Sequence, residues 1–161
     1  MWTRMWLNRE RFQGGASYIA MSDTLNAKER SVRMALVRGA DTKPEMLVRH
    51  LIHSMGFRYR LHVKNLPGKP DLVFPRLRKV IFVQGCFWHR HRKISCHLAR
   101  LPKSRLEFWE TKLEGNRLRD LRNKKLLRSE GWKVFEVWEC EMQNVEALRS
   151  KLRYFLENEV T

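Results

Sequence analysis

The spacing of hydrophobic and polar residues changes period several times along the chain, and each change predicts an element. Residues 1–24 carry no clear period and include Gly14-Gly15-Ala16-Ser17, the pattern of a flexible N-terminal extension; Met21 is an alternative start. A helical pattern runs from Ala27 to Val37 and ends before Gly39, the residue type that most readily closes a helix. Thr42-Lys43-Pro44-Glu45 has the form of a capping box and opens a second helix, stopped after Met55 by Gly56. Leu47, Leu51 and Met55 share one face of it and are expected in the core. Phe57, Tyr59 and Leu61 then alternate with Arg58, Arg60 and His62, the period of a half-buried strand. Pro67-Gly68-Lys69-Pro70 forces a turn. Asp71-Leu72-Val73-Phe74 and Val80-Ile81-Phe82-Val83 predict two short buried strands, a hairpin around Pro75-Arg76. A long loop follows from Gln84 to Lys103. Ser104-Arg105-Leu106-Glu107 is expected to cap the next helix, broken near Gly115-Asn116 and resuming to Ser129. Trp132–Trp138 reads as a strand and Val145–Asn158 as a closing helix. The order ααβββ-loop-α-β-α predicts one small mixed α/β domain over residues 25–161, with no internal repeat.

Charge narrows the partner. Thirty-three lysines and arginines oppose 17 acidic residues, a net charge of +16 in 161 residues. No long amphipathic or apolar anchor accompanies that excess, so a nucleic acid is the expected polyanion rather than a membrane surface. The opening Met1-Trp2-Thr3-Arg4-Met5-Trp6 is too interrupted by charge for a signal-peptide core, and no run reaches the roughly 20 apolar residues of a membrane helix. The three cysteines, Cys86, Cys96 and Cys140, are too few and odd in number for a disulfide framework. A cytoplasmic protein is expected.

Candidate chemistry concentrates in Gly85-Cys86-Phe87-Trp88-His89-Arg90-His91. Cys86, His91 and Cys96 form a C-x4-H-x4-C cluster, and Cys140 ends the last strand. Three thiolates and one imidazole make a closed, structural zinc shell, with His97 as the alternative imidazole. Against this stands the plain reading of three buried cysteines packed as small hydrophobes. Phe87 and Trp88 lie in a loop rather than at helix or strand spacing, so they are candidates to stack on or wedge between bases, or else to bury against the metal site. His89 is then free to move protons. Asp71, at a strand mouth, can hold Mg2+ against a phosphate, or be an ordinary turn aspartate after Pro70. Glu45 is explained by its cap, with or without a role at the site. The basic run Arg117, Arg119, Arg122, Lys124, Lys125 and Arg128 can track phosphates or simply be a solvated helix face.

These residues resemble a known family, the very short patch repair (Vsr) mismatch endonucleases. The resemblance is carried by Met34, Asp41-Thr42 with Glu45, Leu66 to Asp71, Val80-Ile81-Phe82, Gly85 to His91, Pro102-Lys103-Ser104-Arg105, Glu107-Phe108-Trp109, Asp120, Gly131-Trp132 and Val137-Trp138-Glu139-Cys140, in the family's order. The resemblance implies a restriction-endonuclease-like core, a mixed central sheet flanked by helices, with a structural zinc. It implies Mg2+-dependent nicking of DNA beside the thymine of a T:G mismatch. Asp71 would bind Mg2+ with the Val83 carbonyl, and His89 would activate water, oriented by Asp120 and supported by Glu45. Cys86, His91, Cys96 and Cys140 would hold zinc; Met34, Phe87 and Trp88 would wedge into the mismatch. The partner would be duplex DNA bearing a T:G mismatch, the enzyme a monomer, and other mismatch-repair proteins further partners. Family members commonly carry Thr-His before the Gly-Cys, where this chain has Val83-Gln84. Gln84 thus removes an imidazole near the scissile phosphate, with consequences for rate or leaving-group handling. Two competing functions remain: a zinc-containing module that binds distorted duplex without cutting, and a same-fold nuclease with another DNA target.

Overall fold

The structure, a computed structural model, describes residues 40–158. The extension, the helix expected over 27–37 and Met34 lie outside the described residues. Helix α1 (Lys43–Ser54) begins as its cap foretells: the Glu45 N–H donates to Thr42 Oγ1. The return arm differs, because Glu45 accepts from the Thr42 hydroxyl and from the Asp41 N–H instead of the Thr42 N–H. Val48 and Ile52 are the deepest residues of this helix, with Leu51 beside them and Leu47 and Met55 half-buried, so the apolar stripe is broader than Leu47-Leu51-Met55. Gly56, at φ 89, takes the left-handed position that ends it.

The segment after α1 is extended, but it is not a strand. Phe57, Tyr59 and Leu61 do pack on the core. Pairing, however, is confined to one bridge between Arg60 and Val73, and His62 at φ 54 bends the chain away before a ladder forms. Strands β1 (Leu72–Phe74) and β2 (Lys79–Gln84) pair antiparallel with Leu72 opposite Ile81. Their connection is wider than a tight Pro75-Arg76 hairpin, a single 3-10 turn over Pro75–Leu77 with Arg78 left-handed at φ 52. Strand β3 (Lys133–Trp138) runs parallel to β2, Gln84 opposite Trp138, giving a sheet ordered β1-β2-β3. Parallel neighbours require a crossover. Here it consists of a long loop and helix α2 (Leu106–Ser129).

Helix α2 is continuous through Gly115 and Asn116, where a break was expected. A mid-helix glycine costs only about 1 kcal/mol, and the Asn116 amide donates 3.2 Å to the Trp88 carbonyl, tying this turn to the loop. Nor is Ser104 the N-cap residue of the helix. Arg105 occupies the N-cap in a left-handed conformation with no side-chain cap. Helix α3 (Val145–Glu157) opens on Asn144, whose side chain accepts from the Ala147 N–H. Helices α1 and α3 cover one sheet face, around Leu72, Phe74, Ile81, Val137, Leu148 and Leu152. Leu127 of α2 and Trp132 cover the other, against Val73, Val80 and Phe82. The result is a mixed α/β arrangement whose chemistry-bearing loop leaves from the C-terminal end of β2.

Candidate active site

Asp71 stands between the buried Pro70 and β1, where the antiparallel pair ends. Its Oδ2 accepts from the Val83 N–H at 2.7 Å. Burial pushes its carboxyl up to about 6, against that hydrogen bond; the nearby Glu45 adds to the rise and Arg49 opposes it. The N–H and C=O of one strand residue face the same edge, so the Val83 carbonyl opens beside Asp71 as well. A desolvated carboxylate beside a backbone carbonyl could offer the oxygen ligands that a hard divalent cation takes. Glu45 is itself buried, and its oxygens meet Arg49 at 3.1 Å, Thr42 and Asp41. It therefore caps α1 and also lends negative potential to Asp71.

The loop after β2 folds back through three hydrogen bonds, His89 N–H to Gly85 O, Arg90 N–H to Phe87 O and His91 N–H to Cys86 O. A Cβ on Gly85 would sit 3.3 Å from Trp88, which explains the small residue. This fold-back brings His89 Nδ1 to 2.6 Å from Asp120 Oδ2 on α2. Both are mostly shielded, and they share a cleft of about 360 Å3 with Lys124, Glu136 and Trp138. Lys124 is paired to Glu136 at 2.6 Å, and Arg117 to Glu114 at 2.9–3.0 Å, so part of the basic run on α2 is internally neutralised. Arg119, Arg122, Lys125 and Arg128 remain exposed.

Cys86, His91, Cys96 and Cys140 converge, with all four candidate ligand atoms within 4.8 Å of one another. His91 Nδ1 lies 3.6 Å from Cys86 Sγ and 3.5 Å from Cys140 Sγ, and its ring stacks on Trp138 at 4.1 Å. Burial holds the His91 imidazole below its ordinary value, in the neutral form that binds metals, and pushes the Cys86 and Cys140 thiols up. His97 is not part of this group; it starts the 3-10 turn after Cys96. Convergence of every cysteine on one imidazole is not how dispersed core cysteines pack.

Phe87 and Trp88 are half-buried and lie edge-to-face at 5.0 Å. Trp109, which spacing alone does not join to this pair, has its ring 5.3 Å from Phe87 and 6.1 Å from Trp88. Phe108, 45% exposed, joins Trp109 at 5.3 Å, and the Lys112 ammonium sits 5.7–5.9 Å from the rings of Trp88, Phe108 and Trp109. The signal was available: adjacent aromatics in the first turn of a helix cannot both face one core.

Residues 22–96 match the model of the family described as DNA mismatch endonuclease Vsr. The type II nicking enzyme V.XorIIP of Xanthomonas oryzae pv. oryzae is 50% identical over 137 residues, 85% of this chain and 98% of that protein. The type II nicking enzyme V.NmeAIP of Neisseria meningitidis is 41% identical over 132 residues, 82% of this chain and 92% of that one. The DNA mismatch endonuclease Vsr of Escherichia coli K12 is 38% identical over 128 residues, 80% of each. The chain belongs to the Vsr family. It is a DNA endonuclease of the mismatch and nicking kind, and its +16 charge suits a DNA substrate. Among the described residues no helix is long and apolar enough to cross a membrane.

Proposed function

We propose that this Vsr-family protein nicks one strand of duplex DNA beside the thymine of a T:G mismatch, by Mg2+-dependent hydrolysis of a phosphodiester. The observation that carries the reading is the 2.6 Å contact of His89 Nδ1 with Asp120, on the helix against which the turn before the desolvated Asp71 is seated. In the tautomer whose Nδ1–H donates to Asp120, Nε2 is the nitrogen left to take the proton of an attacking water. Asp120 then stabilises the imidazolium that forms. Asp71 and the Val83 carbonyl would hold Mg2+, which supplies charge neutralisation at the scissile phosphate. Glu45 sets the potential around Asp71 and fixes the start of α1. A DNA-binding module that does not cut would need no buried carboxylate at a strand edge and no imidazole oriented by another.

Cys86, His91, Cys96 and Cys140 would hold a structural zinc; three thiols and one imidazole fit its tetrahedral preference. The metal would pin a loop that has little regular structure of its own. Phe87 and Trp88, joined by Trp109 and by Met34, would form the wedge, inserting where a mismatch has already weakened stacking. The three-stranded sheet with helices on both faces and Asp71 at its edge supports a restriction-endonuclease-like core. We further read residues 25–161 as one domain acting as a monomer in the cytoplasm. The test is to incubate the purified protein with a duplex carrying a single T:G mismatch and map the broken bond. One nick beside the thymine, only with Mg2+, is expected; equal cutting of a matched duplex would overturn the reading.

A further inference from the structure

Gln84 ends β2, is 4% exposed, and its Oε1 is buried with no hydrogen-bond partner among the described residues. A buried acceptor without a donor is costly to keep, and in native proteins it marks a missing water, ion or ligand. Its position narrows the choice. Side chains alternate along a strand, so Gln84 leaves the sheet on the face of Val80 and Phe82, the face covered from α2. The same alternation on β1 puts Asp71 on the face of Val73, also the α2 side. Asp120, partner of His89, rides on α2. Gln84 is also the next residue after Val83, whose backbone edge meets Asp71. The orphan oxygen therefore lies on the side of the sheet shared by the carboxylate and by the histidine's partner. A phosphate cannot satisfy it, because a DNA phosphate offers only acceptors. A cation can, and so can a water, free or bound to a cation.

We propose that Gln84 is a further oxygen donor of the cation site, its Oε1 accepting from a water of the cation held by Asp71 and the Val83 carbonyl. This rests on reading that edge as the cation site. Mg2+ keeps several of its waters when bound by one or two protein oxygens, and partners of that outer layer set affinity by orienting it. A neutral amide at this place gives the site an acceptor without a second negative charge beside Asp71 and Glu45.

The test is calorimetric titration of Mn2+ into the zinc-loaded protein without DNA, with thermal melting in buffer free of divalent cations added beyond that zinc. Gln84→Leu should weaken Mn2+ binding by about tenfold while melting at or above the wild type, since leucine removes the unpaired acceptor. Gln84→Glu should tighten binding by about tenfold. Asp71→Ala should abolish it. Unchanged Mn2+ affinity in Gln84→Leu with loss in Asp71→Ala overturns the role of Gln84 and leaves the cation site standing. Wild-type affinity in Asp71→Ala overturns the site itself, and Gln84 with it. A lower melting point in Gln84→Leu would mean the amide is a structural partner. Weaker binding in Gln84→Glu would put the amide nitrogen at the site.

Discussion

Asp71 holds its place in the fold at the expense of its charge. Its carboxyl titrates near 6 rather than 3.8, chiefly because it is buried. A carboxyl raised in this way does not hinder folding while it is protonated. It subtracts stability as the pH rises from about 4 through about 6, where the unfolded chain ionises and the folded one resists. Asp71→Asn keeps an oxygen for the Val83 N–H and removes the buried charge. In Mg2+-free buffer at pH 7.5 its melting temperature should equal or exceed that of the wild type, and the gap should close towards pH 4, while nicking is lost. A variant that melts lower at pH 7.5 would show that the ionised carboxylate contributes to the fold. A carboxyl whose burial opposes stability is the ordinary sign of a residue held for its chemistry.

At the scale of elements, two glycines separate backbone demand from chance. Gly68 has φ 74, and a Cβ there would lie 3.0 Å from the Asn123 Cβ on α2, so the turn before Asp71 is seated directly on the helix that carries Asp120. Gly68→Ala should destabilise by about 1 kcal/mol or more and lower the nicking rate by displacing Asp71. Gly115 has nothing within 4 Å of a built Cβ, so Gly115→Ala should stabilise by about 0.5–1 kcal/mol. Denaturant unfolding of both variants decides; the same sign for both would contradict the assignment. The loop from Gly85 to Lys103 should depend on its metal. Removing zinc with a thiol-competing chelator should expose the loop to protease and abolish nicking, and zinc should restore both; an apo loop as resistant as the loaded one would contradict a structural role. Much of this was legible in the chain. Thr42 with Glu45, the β1–β2 pair and the closing helix follow from local rules. The misreadings lay where tertiary contact outweighs local preference. Gly115 stays helical because Asn116 is tied to Trp88, and Phe57–Leu61 alternates without a ladder because only Arg60 reaches Val73. The His89–Asp120 contact spans 31 residues and could not be read from spacing. Phe108-Trp109 in the first turn of α2 signals an exposed ring, but that Trp109 meets Phe87 shows only in the folded chain.

For the whole molecule, charge and wedge should act separately. The +16 surface should bind any duplex, with affinity falling steeply as salt rises. The wedge should act only where stacking is already weak. Phe87→Ala combined with Trp88→Ala should erase the preference for mismatched over matched duplex at one fixed salt concentration and leave the salt-sensitive component; an unchanged preference would make these rings core. The central claim is that one oriented histidine, working with a cation-binding aspartate, cuts at the mismatch. The most direct measurement is the single-turnover nicking rate of a T:G duplex in Mg2+, wild type against His89→Ala, with DNA affinity measured alongside. The account predicts that His89→Ala binds the duplex as the wild type does and nicks about 10²–10⁴-fold more slowly. A wild-type rate in that variant would remove His89, and with it the mechanism proposed for this site.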